Sequence, residues 1–266
     1  MVLGEVHQIF PYDKYKKPYD SKEKLSKLVN KTDVVFICVP TPMKPSGEMD
    51  YSAIHNSLAD LLKECQKQSK DPQTIVVVIR STAVSGTTDS LAEKYPFKFV
   101  FNPEFLTEKN ALRDMQNTNR VIIGANDEVS RQKLEIVYRA VFPKARYIFV
   151  NRKTAEMIKY SANTFLASQI AIANEIFNIC QALKVDYQVV KEAILLDQRL
   201  GRNINVPGPD GDFGFGGKCF PKDLNAFIYL ARENHYRPYL LEEIWRLNER
   251  VRKNKDWLNI AGAVSQ

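Results

Sequence analysis

The chain has 266 residues, of which 44% are hydrophobic and 26% charged, an ordinary composition for one large globular domain or two modest ones. Its net charge is +7, and its three histidines are scattered without metal-ligand spacing. No apolar run approaches the roughly 18 residues of a membrane span, and no nucleic-acid recognition module is visible. We therefore expect no metal site, no membrane insertion and no nucleic-acid binding, whereas the basic charge suits a small phosphorylated ligand.

The cysteines indicate the redox environment of the chain. They lie far apart and form no C-x-x-C pair: Cys38, Cys65, Cys180 and Cys219. The first residues have neither the charged region nor the apolar region of a secretory signal. Free thiols in a reducing cytoplasm are the simplest interpretation, so we expect a cytoplasmic protein.

The first 150 residues alternate between predicted strands and helices. The residues before Asp13 are compatible with a short strand. Buried strands are predicted over 33–39 and 74–79, further strands over 97–102, 120–124 and 146–150, and helices over 51–66, with Asp50 as N-cap, 86–94 and 129–141. This alternation predicts an α/β fold with a Rossmann-like, doubly wound parallel sheet.

After residue 150 the pattern becomes wholly helical. A long amphipathic helix is predicted over 154–183, followed by helices over 187–196, from about Pro221, and over about 240–257. Residues 201–217 are rich in Gly, Pro and Asn and predict an irregular loop. The long apolar stripe favours a homodimer that associates through these helices.

Three short polar segments directly follow predicted strands, namely Pro40–Pro42, Ser81–Thr82 and Asn102–Glu104. In a doubly wound sheet, ligands bind at the carboxyl ends of the strands, so these segments are candidates to line one crevice. Glu104 could act as a general base, with Thr82 sharing the same water. Asp13 has the residue type and position that bind an adenosine ribose. Taken singly, Glu104 and Thr82 are better explained as loop or cap residues, and the signal of Asp13 alone is weak.

Cys219 lies between a glycine-rich loop and the predicted start of a helix. The helix dipole and the neighbouring Lys218 and Lys222 would favour its thiolate, and Asp223 in the first turn complements the same dipole. A structural thiol beside a tight turn is an equally supported interpretation. Lys159 and Asn163, spaced i,i+4, could be two donors for an oxyanion, or a lysine and an asparagine at the rim of the apolar stripe.

In chain order, six segments resemble the UDP-glucose/GDP-mannose dehydrogenase family. They are Phe36–Pro42, Arg80–Thr82, Phe101–Glu108, Ala155–Phe165, Asp197–Gly201 and Gly214–Asp223. The resemblance implies an NAD-binding domain over residues 1–150 and a helical central domain over 151–266 that often dimerises. It also implies oxidation of the C6 alcohol of a nucleotide sugar in two hydride transfers, through a thiohemiacetal and a thioester on Cys219. UDP-glucose, oxidised to UDP-glucuronate, is the default substrate, with GDP-mannose and UDP-N-acetylhexosamines as alternatives.

The resemblance also assigns residues by position. Its catalytic set is Cys219, Lys159, Asn163, Asp223, Glu104 and Thr82. Its NAD-binding set is Asp13, Val39, Pro40, Thr41, Pro42, Ser81, Glu108 and Lys222. Its substrate-binding set is Phe105, Leu106, Thr107, Arg199, Phe213, Gly214, Phe215 and Gly216.

Two parts of the family pattern are not found between residues 1 and 266. One is the first βα unit with its G-x-G-x-x-G phosphate turn, and the other is the C-terminal nucleotide-binding domain. We therefore expect a short form of the family. A catalytically impaired relative that binds nucleotide sugar or only oligomerises remains an alternative. A different kind of thiol enzyme is a weaker one, because no histidine is evidently placed to act as a base for Cys219.

Overall fold

A computed structural model describes residues 2–107, 110–198, 200–201 and 204–264. The chain divides into two compact units, Met1–Thr41 with Tyr51–Lys159, and Pro42–Asp50 with Tyr160–Gln266. The predicted functional boundary at residue 150 stays a prediction. Across the described ranges, no helix has the length and apolar character needed to cross a membrane.

The first unit is built on a five-stranded sheet with the order β1-β2-β3-β4-β5. Its strands are β1 (Val34–Ile37), β2 (Val76–Ile79), β3 (Lys98–Phe101), β4 (Arg120–Ala125) and β5 (Arg146–Val150). Its helices are α1 (Lys22–Lys31), α2 (Ser52–Lys67), α3 (Thr87–Lys94), α4 (Ala111–Gln116) and α5 (Glu128–Arg139). The five predicted strands are thus confirmed, although the residues of β5 are half-buried or exposed. Helices α1 and α4 were not predicted, and Tyr51 rather than Asp50 occupies the N-cap of α2.

Strand direction differs in one place from the wholly parallel sheet that we predicted. Strands β1, β2 and β3 are parallel, and β5 is parallel to β4, but β4 runs antiparallel to β3 with Phe101 opposite Gly124. Two consecutive strands can be parallel only if a long crossover, usually a full helix, connects them. Between β3 and β4 the longest helix among the described residues is the six-residue α4, so β4 starts at the edge where β3 ends.

The central strands β2, β3 and β4 are largely buried on both faces, which explains their continuous apolar runs. Alternate side chains of β2 face opposite sides, because successive residues of a strand point to opposite faces. Val77 and Ile79 pack in a cluster with helix α2, and Val76 and Val78 pack in another with helix α5. Burial of the apolar residues within the strands therefore fixes where the strands end.

The interpretation of the residues before Asp13 as a strand is wrong. Val2–Glu5 is a 3-10 helix, and residues 8–13 have no regular structure. Among the described residues, β1 ends the sheet and pairs only with β2. A strand without a neighbouring ladder leaves its backbone groups unpaired, so this segment turns instead, with Asp13 N donating to Tyr19 O at 3.2 Å.

The second unit is helical, as predicted. It contains most of α6 (Arg152–Leu183), followed by α7 (Tyr187–Ile194), α8 (Phe220–Glu233) and α9 (Tyr239–Val251). The side chain of Asp186 caps α7 by accepting from Gln188 N. Helix α9 ends earlier than predicted, because the backbone of Arg252 is extended. Residues 42–50 complete this unit, with Met43 N donating to Ala263 O at 2.9 Å.

Candidate active site

The loops after β1 and β2 are joined by side-chain hydrogen bonds. The Ser81 hydroxyl accepts a bond from Val39 N at 2.9 Å and donates to Val39 O at 2.7 Å. The Thr41 hydroxyl donates to Thr82 O at 2.9 Å. Four residues of the predicted cofactor and catalytic sets therefore lie together at the carboxyl ends of parallel strands, where doubly wound sheets bind their ligands.

A cavity of about 630 Å³ lies beside β1. Three residues of the predicted NAD-binding set, Asp13, Val39 and Pro40, line it. The Asp13 side chain is exposed, and its Oδ1 accepts a hydrogen bond from Tyr15 N at 3.0 Å. Asp60 is a second carboxylate in its lining, and a cavity of this size with apolar walls and two carboxylates fits part of a dinucleotide. Pro42 does not line it and belongs to the second unit.

Glu104 and Lys159 form an ion pair at the end of β3. The Nζ atom of Lys159 lies 3.1 Å from Oε1 of Glu104, and the other carboxylate oxygen accepts from Leu106 N at 2.8 Å. Lys159 is only 4% exposed, and its ammonium lies 5.6 Å from the centre of the Phe105 ring. An ammonium carries three donors, so a lysine held this firmly can direct its other donors at a ligand.

The loop after β3 has further fixed contacts. Asn102 accepts a hydrogen bond from Arg80 at 2.5 Å and donates to Ile122 O at 2.7 Å. The guanidinium of Arg120 lies over the Phe105 ring at 4.4 Å. A second cavity of about 140 Å³ adjoins this loop and is lined by Glu104, Phe105 and Leu106 among others. Thr107 is exposed, and its hydroxyl donates to Asp114 at 2.6 Å.

A buried carboxylate that the sequence did not single out, Glu156, lies near the start of α6. Its oxygens accept from Gly86 N at 2.6 Å, Thr88 N at 2.8 Å and the Thr88 hydroxyl at 2.6 Å. Burial raises the pKa of Glu156 to about 7, although these hydrogen bonds lower it and the nearby Asp89 raises it further. The group therefore changes charge near neutral pH.

We expect Glu156 to make stability depend on pH. Its pKa is higher in the folded chain than its ordinary value of 4.5, so its contribution is fully present below about pH 4.5 and is lost as the pH rises through about 7. At about 1.4 kcal/mol for each pKa unit, the loss is about 3 kcal/mol. Glu156→Gln should remove that slope. Urea unfolding of both proteins from pH 5 to 8 tests this, and parallel profiles would contradict it.

Cys219 occupies the N-cap position of α8 in the second unit, and its side chain is exposed. Pro221 lies in the first turn, as predicted, and Asp223 N donates to Cys219 O at 2.8 Å. The positive end of a helix dipole stabilises a thiolate placed there. Cys65 and Cys180 are buried, so Cys219 is the exposed thiol of the helical unit.

Asp223 is buried between two partners. Its Oδ2 accepts a hydrogen bond from the amide of Asn163 at 2.5 Å, and its Oδ1 lies 2.5 Å from Nζ of Lys222. The side chains of Lys222 and Asp223 are 5% and 1% exposed. Asp223 therefore fixes the orientation of the Asn163 amide and neutralises a buried ammonium. This is a contact that the sequence did not suggest.

Two buried asparagines hold the glycine-rich loop before Cys219. Asn248 accepts from Phe215 N at 2.7 Å and donates to Phe215 O at 3.0 Å, and Asn174 accepts from Gly214 N at 3.0 Å. Gly214 has a φ of +65°, and a Cβ there would lie 2.3 Å from Oδ1 of Asn248. Only glycine permits this approach.

Arg252 supports the other side of that loop. Its guanidinium pairs with Asp210 at 2.7 Å and Asp256 at 3.3 Å, and it donates to Phe213 O at 3.3 Å. Asp256 in turn accepts from Gly217 N at 3.1 Å. The predicted substrate loop over 213–216 is thus held through its backbone.

Two residues of the predicted sets, Glu108 and Arg199, lie outside the described residues. Sequence reasoning also missed four supporting residues, Glu156, Asn174, Asn248 and Arg252. For Glu156, Asn174 and Asn248 the available signal was a polar residue on the buried face of a helix, whereas Arg252 follows α9 and had no such signal. In the described ranges, no group of three or more His, Cys, Asp or Glu side chains could hold a metal ion.

Comparison with known proteins identifies the family. Residues 12–142 match its NAD binding domain, and residues 153–250 match its central domain. The chain belongs to the UDP-glucose/GDP-mannose dehydrogenase family. The resemblance drawn from six sequence segments is therefore confirmed, as is the Rossmann-like fold followed by a helical domain.

Individual relatives agree with this family. The chain is 35% identical over 224 residues to a UDP-glucose 6-dehydrogenase of Rickettsia bellii, covering 82% of this chain and 49% of that protein. It is 35% identical over 232 residues to UDP-glucose 6-dehydrogenase TuaD of Bacillus subtilis, covering 84% and 48%. The chain thus spans about half the length of the curated relatives it matches.

Solved structures show the same relationship. A UDP-glucose dehydrogenase from the archaeon Pyrobaculum islandicum superposes with a TM-score of 0.76 at 34% identity, over 85% of this chain and 52% of that one. A ternary complex of GDP-mannose dehydrogenase from Pseudomonas aeruginosa superposes with a TM-score of 0.60 at 33% identity, over 85% and 53%.

Proposed function

We propose that the chain carries out NAD-dependent oxidation of the C6 alcohol of a nucleotide sugar, UDP-glucose by default, to the carboxylate. The observation that carries this proposal is the exposed Cys219 thiol at the start of α8, in a unit where Asp223 also orients Asn163. Residues 1–150 would bind NAD, and residues 151–266 would carry the nucleophile. The similarity to UDP-glucose 6-dehydrogenases supports the choice of substrate class.

The thiol divides a difficult oxidation into simpler steps. The Cys219 thiolate adds to the aldehyde carbon of the half-oxidised sugar and forms a thiohemiacetal. Oxidation of that carbon gives a thioester, and water then releases the carboxylate and regenerates the thiol. NAD, when bound, supplies the hydride acceptor for each of the two oxidations.

Each predicted set has a task in this scheme. Lys159 and Asn163 donate hydrogen bonds to the oxyanions, with Asp223 holding the Asn163 amide. Glu104 and Thr82 handle the water and the protons. NAD would be held by Asp13, Val39, Pro40, Thr41, Pro42, Ser81, Glu108 and Lys222. The nucleotide sugar would be held by Phe105, Leu106, Thr107, Arg199, Phe213, Gly214, Phe215 and Gly216.

The decisive experiment is a stoichiometric assay of the purified chain with NAD and UDP-glucose, GDP-mannose or a UDP-N-acetylhexosamine. We expect two NADH for each sugar oxidised, with the preferred sugar identified by kcat/KM. A folded protein that forms no NADH with any of them would overturn the proposal. Calorimetric binding of nucleotide sugar in that case would support an impaired relative instead.

We further propose a cytoplasmic homodimer that associates through α6. Three exposed apolar side chains follow one another at seven-residue spacing, Phe165, Ile172 and Ile179, with 72%, 59% and 52% exposure. Side chains at this spacing lie on one face of the helix, which is the arrangement that the seam of two paired helices needs. Sedimentation equilibrium should give twice the chain mass of 30.5 kDa, and a monomeric mass would contradict the dimer. Cell fractionation tests the cytoplasmic location, for which the four cysteine thiols are the support.

A further inference from the structure

Glu156 holds the start of α3 from a distant part of the chain. Helix α3 begins after Gly86, which has a φ of +99° and offers no side chain as a cap. The carboxylate of Glu156, 70 residues later in the sequence, accepts the hydrogen bonds of Gly86 N and Thr88 N instead. Glu156 is completely buried, so water cannot replace it as the acceptor. A carboxylate at this position also complements the helix dipole.

Two further contacts join the same segments. Arg152, in the first turn of α6, pairs with Asp89 at 2.6 Å, and the Ser85 hydroxyl donates to Lys153 O at 3.1 Å. Three residues of the first two turns of α6 therefore contact the segment over 85–89. The start of α6 is consequently fixed in place relative to the start of α3.

Each of the two segments joined by these contacts lies close in sequence to a predicted catalytic residue. Lys159 lies on α6 one turn after Glu156, so the position of that turn sets the position of its ammonium. The segment over 85–89 follows Thr82 after only two intervening residues, of which Val84 is held through its N by the Tyr51 hydroxyl at 2.9 Å. We propose that Glu156 is a positioning residue for the oxidation, whose carboxylate sets Lys159 relative to the loop that carries Thr82. This inference rests on the proposed function.

The two acceptor oxygens of the side chain matter to this role. Three donors converge on the carboxylate, and glutamine offers a single oxygen to them. In the Glu156→Gln variant, the amide nitrogen of the new side chain would face a backbone N–H. The charged groups around Glu156 are Asp89 and Arg152, which pair with each other, Lys153, which approaches Gly86, and Lys159, which pairs with Glu104. None of the contacts described for these groups supplies Gly86 N with another acceptor.

A double-mutant cycle separates positioning from general stability. We expect Glu156→Gln to lower kcat about tenfold, with KM for the nucleotide sugar changed less than about twofold, because a displaced donor mainly weakens the transition state. In a Lys159→Ala background the same change should lower kcat less than about twofold. Glu64→Gln, at another buried glutamate of the first unit, is the matched control, and its effect should be the same in both backgrounds.

One outcome of the double-mutant cycle would contradict the proposal. Equal factors for Glu156→Gln in the two backgrounds would overturn the positioning role. If Glu156→Gln does not fold, Thr88→Val replaces it, since this change removes only the hydroxyl contact at 2.6 Å. Its expected fall in kcat, about threefold, should likewise vanish with Lys159→Ala.

A readout without activity separates this inference from the proposed function. In Glu156→Gln, amide hydrogen exchange should accelerate both over 85–89 and over 157–161. Acceleration confined to 85–89 would overturn the positioning role. Wild-type protein that forms no NADH would instead refute the proposed function.

Discussion

Replacing Cys219 with alanine should lower kcat for NADH formation from nucleotide sugar roughly a thousandfold or more, as for removal of other enzymatic nucleophiles. Without the thiol, no covalent adduct with the aldehyde forms, and the second oxidation loses its route through a thioester. The side chain is exposed at the start of α8, so its removal leaves no cavity. We therefore expect unchanged unfolding behaviour beside the lost activity.

Cys180→Ala provides the matched control for this prediction. Cys180 is a thiol of the same unit but is 6% exposed on α6. The control should keep kcat within about threefold while losing some stability, because it truncates a buried side chain. Steady-state assays of both variants decide the matter. A Cys219→Ala protein that retains about a tenth of the wild-type kcat would refute the role of Cys219 as nucleophile.

Asp223→Ala should lower the free energy of unfolding by about 3–5 kcal/mol, the cost of breaking a buried ion pair by removing one partner. The change leaves the ammonium of Lys222, which is 5% exposed, without its carboxylate. It also removes the acceptor of the Asn163 amide, so a second buried polar group loses its partner. Urea unfolding at neutral pH, analysed with a common slope, measures the difference.

Two comparisons sharpen this test. Lys222→Met combined with Asp223→Leu removes both charges, and the pair should recover most of the lost stability. Glu243→Ala breaks an ion pair with Arg246 whose side chains are 64% and 62% exposed, so it should cost less than about 1 kcal/mol. An Asp223→Ala protein no less stable than Glu243→Ala would show that the buried pair contributes little.

The central strands of the sheet were predictable because they are buried on both faces. Runs such as Val76–Ile79 are continuously apolar and end at polar loops, so both their existence and their ends are visible in the sequence. The direction of β4 was not visible. It depends on the length of a connection that includes α4, a helix of only six residues with no buried side chain and hence no apolar stripe.

In the candidate active site, too, the sequence predicted some features and not others. The position of Cys219 at a helix start followed from Pro221 and the preceding glycines, and the structure confirms it. The support for that position did not follow from the sequence. Asn248 and Arg252 reach the loop over 213–217 from α9 and the residue after it, and contacts between distant segments leave no local pattern. Glu156 had no signal beyond being polar on an apolar face.

Residues 42–50 have a consequence for how the chain folds. They follow β1 closely in sequence, yet they complete the helical unit, where Met43 pairs with Met49 and with Val264 near the opposite end of the chain. Neither unit is therefore a continuous stretch of sequence. During synthesis Met43 N cannot reach its acceptor, Ala263 O, until that much later segment has been made, and contacts of such long sequence separation slow folding. A fragment that begins within α6 would also lack the segment over 42–50 that completes its unit.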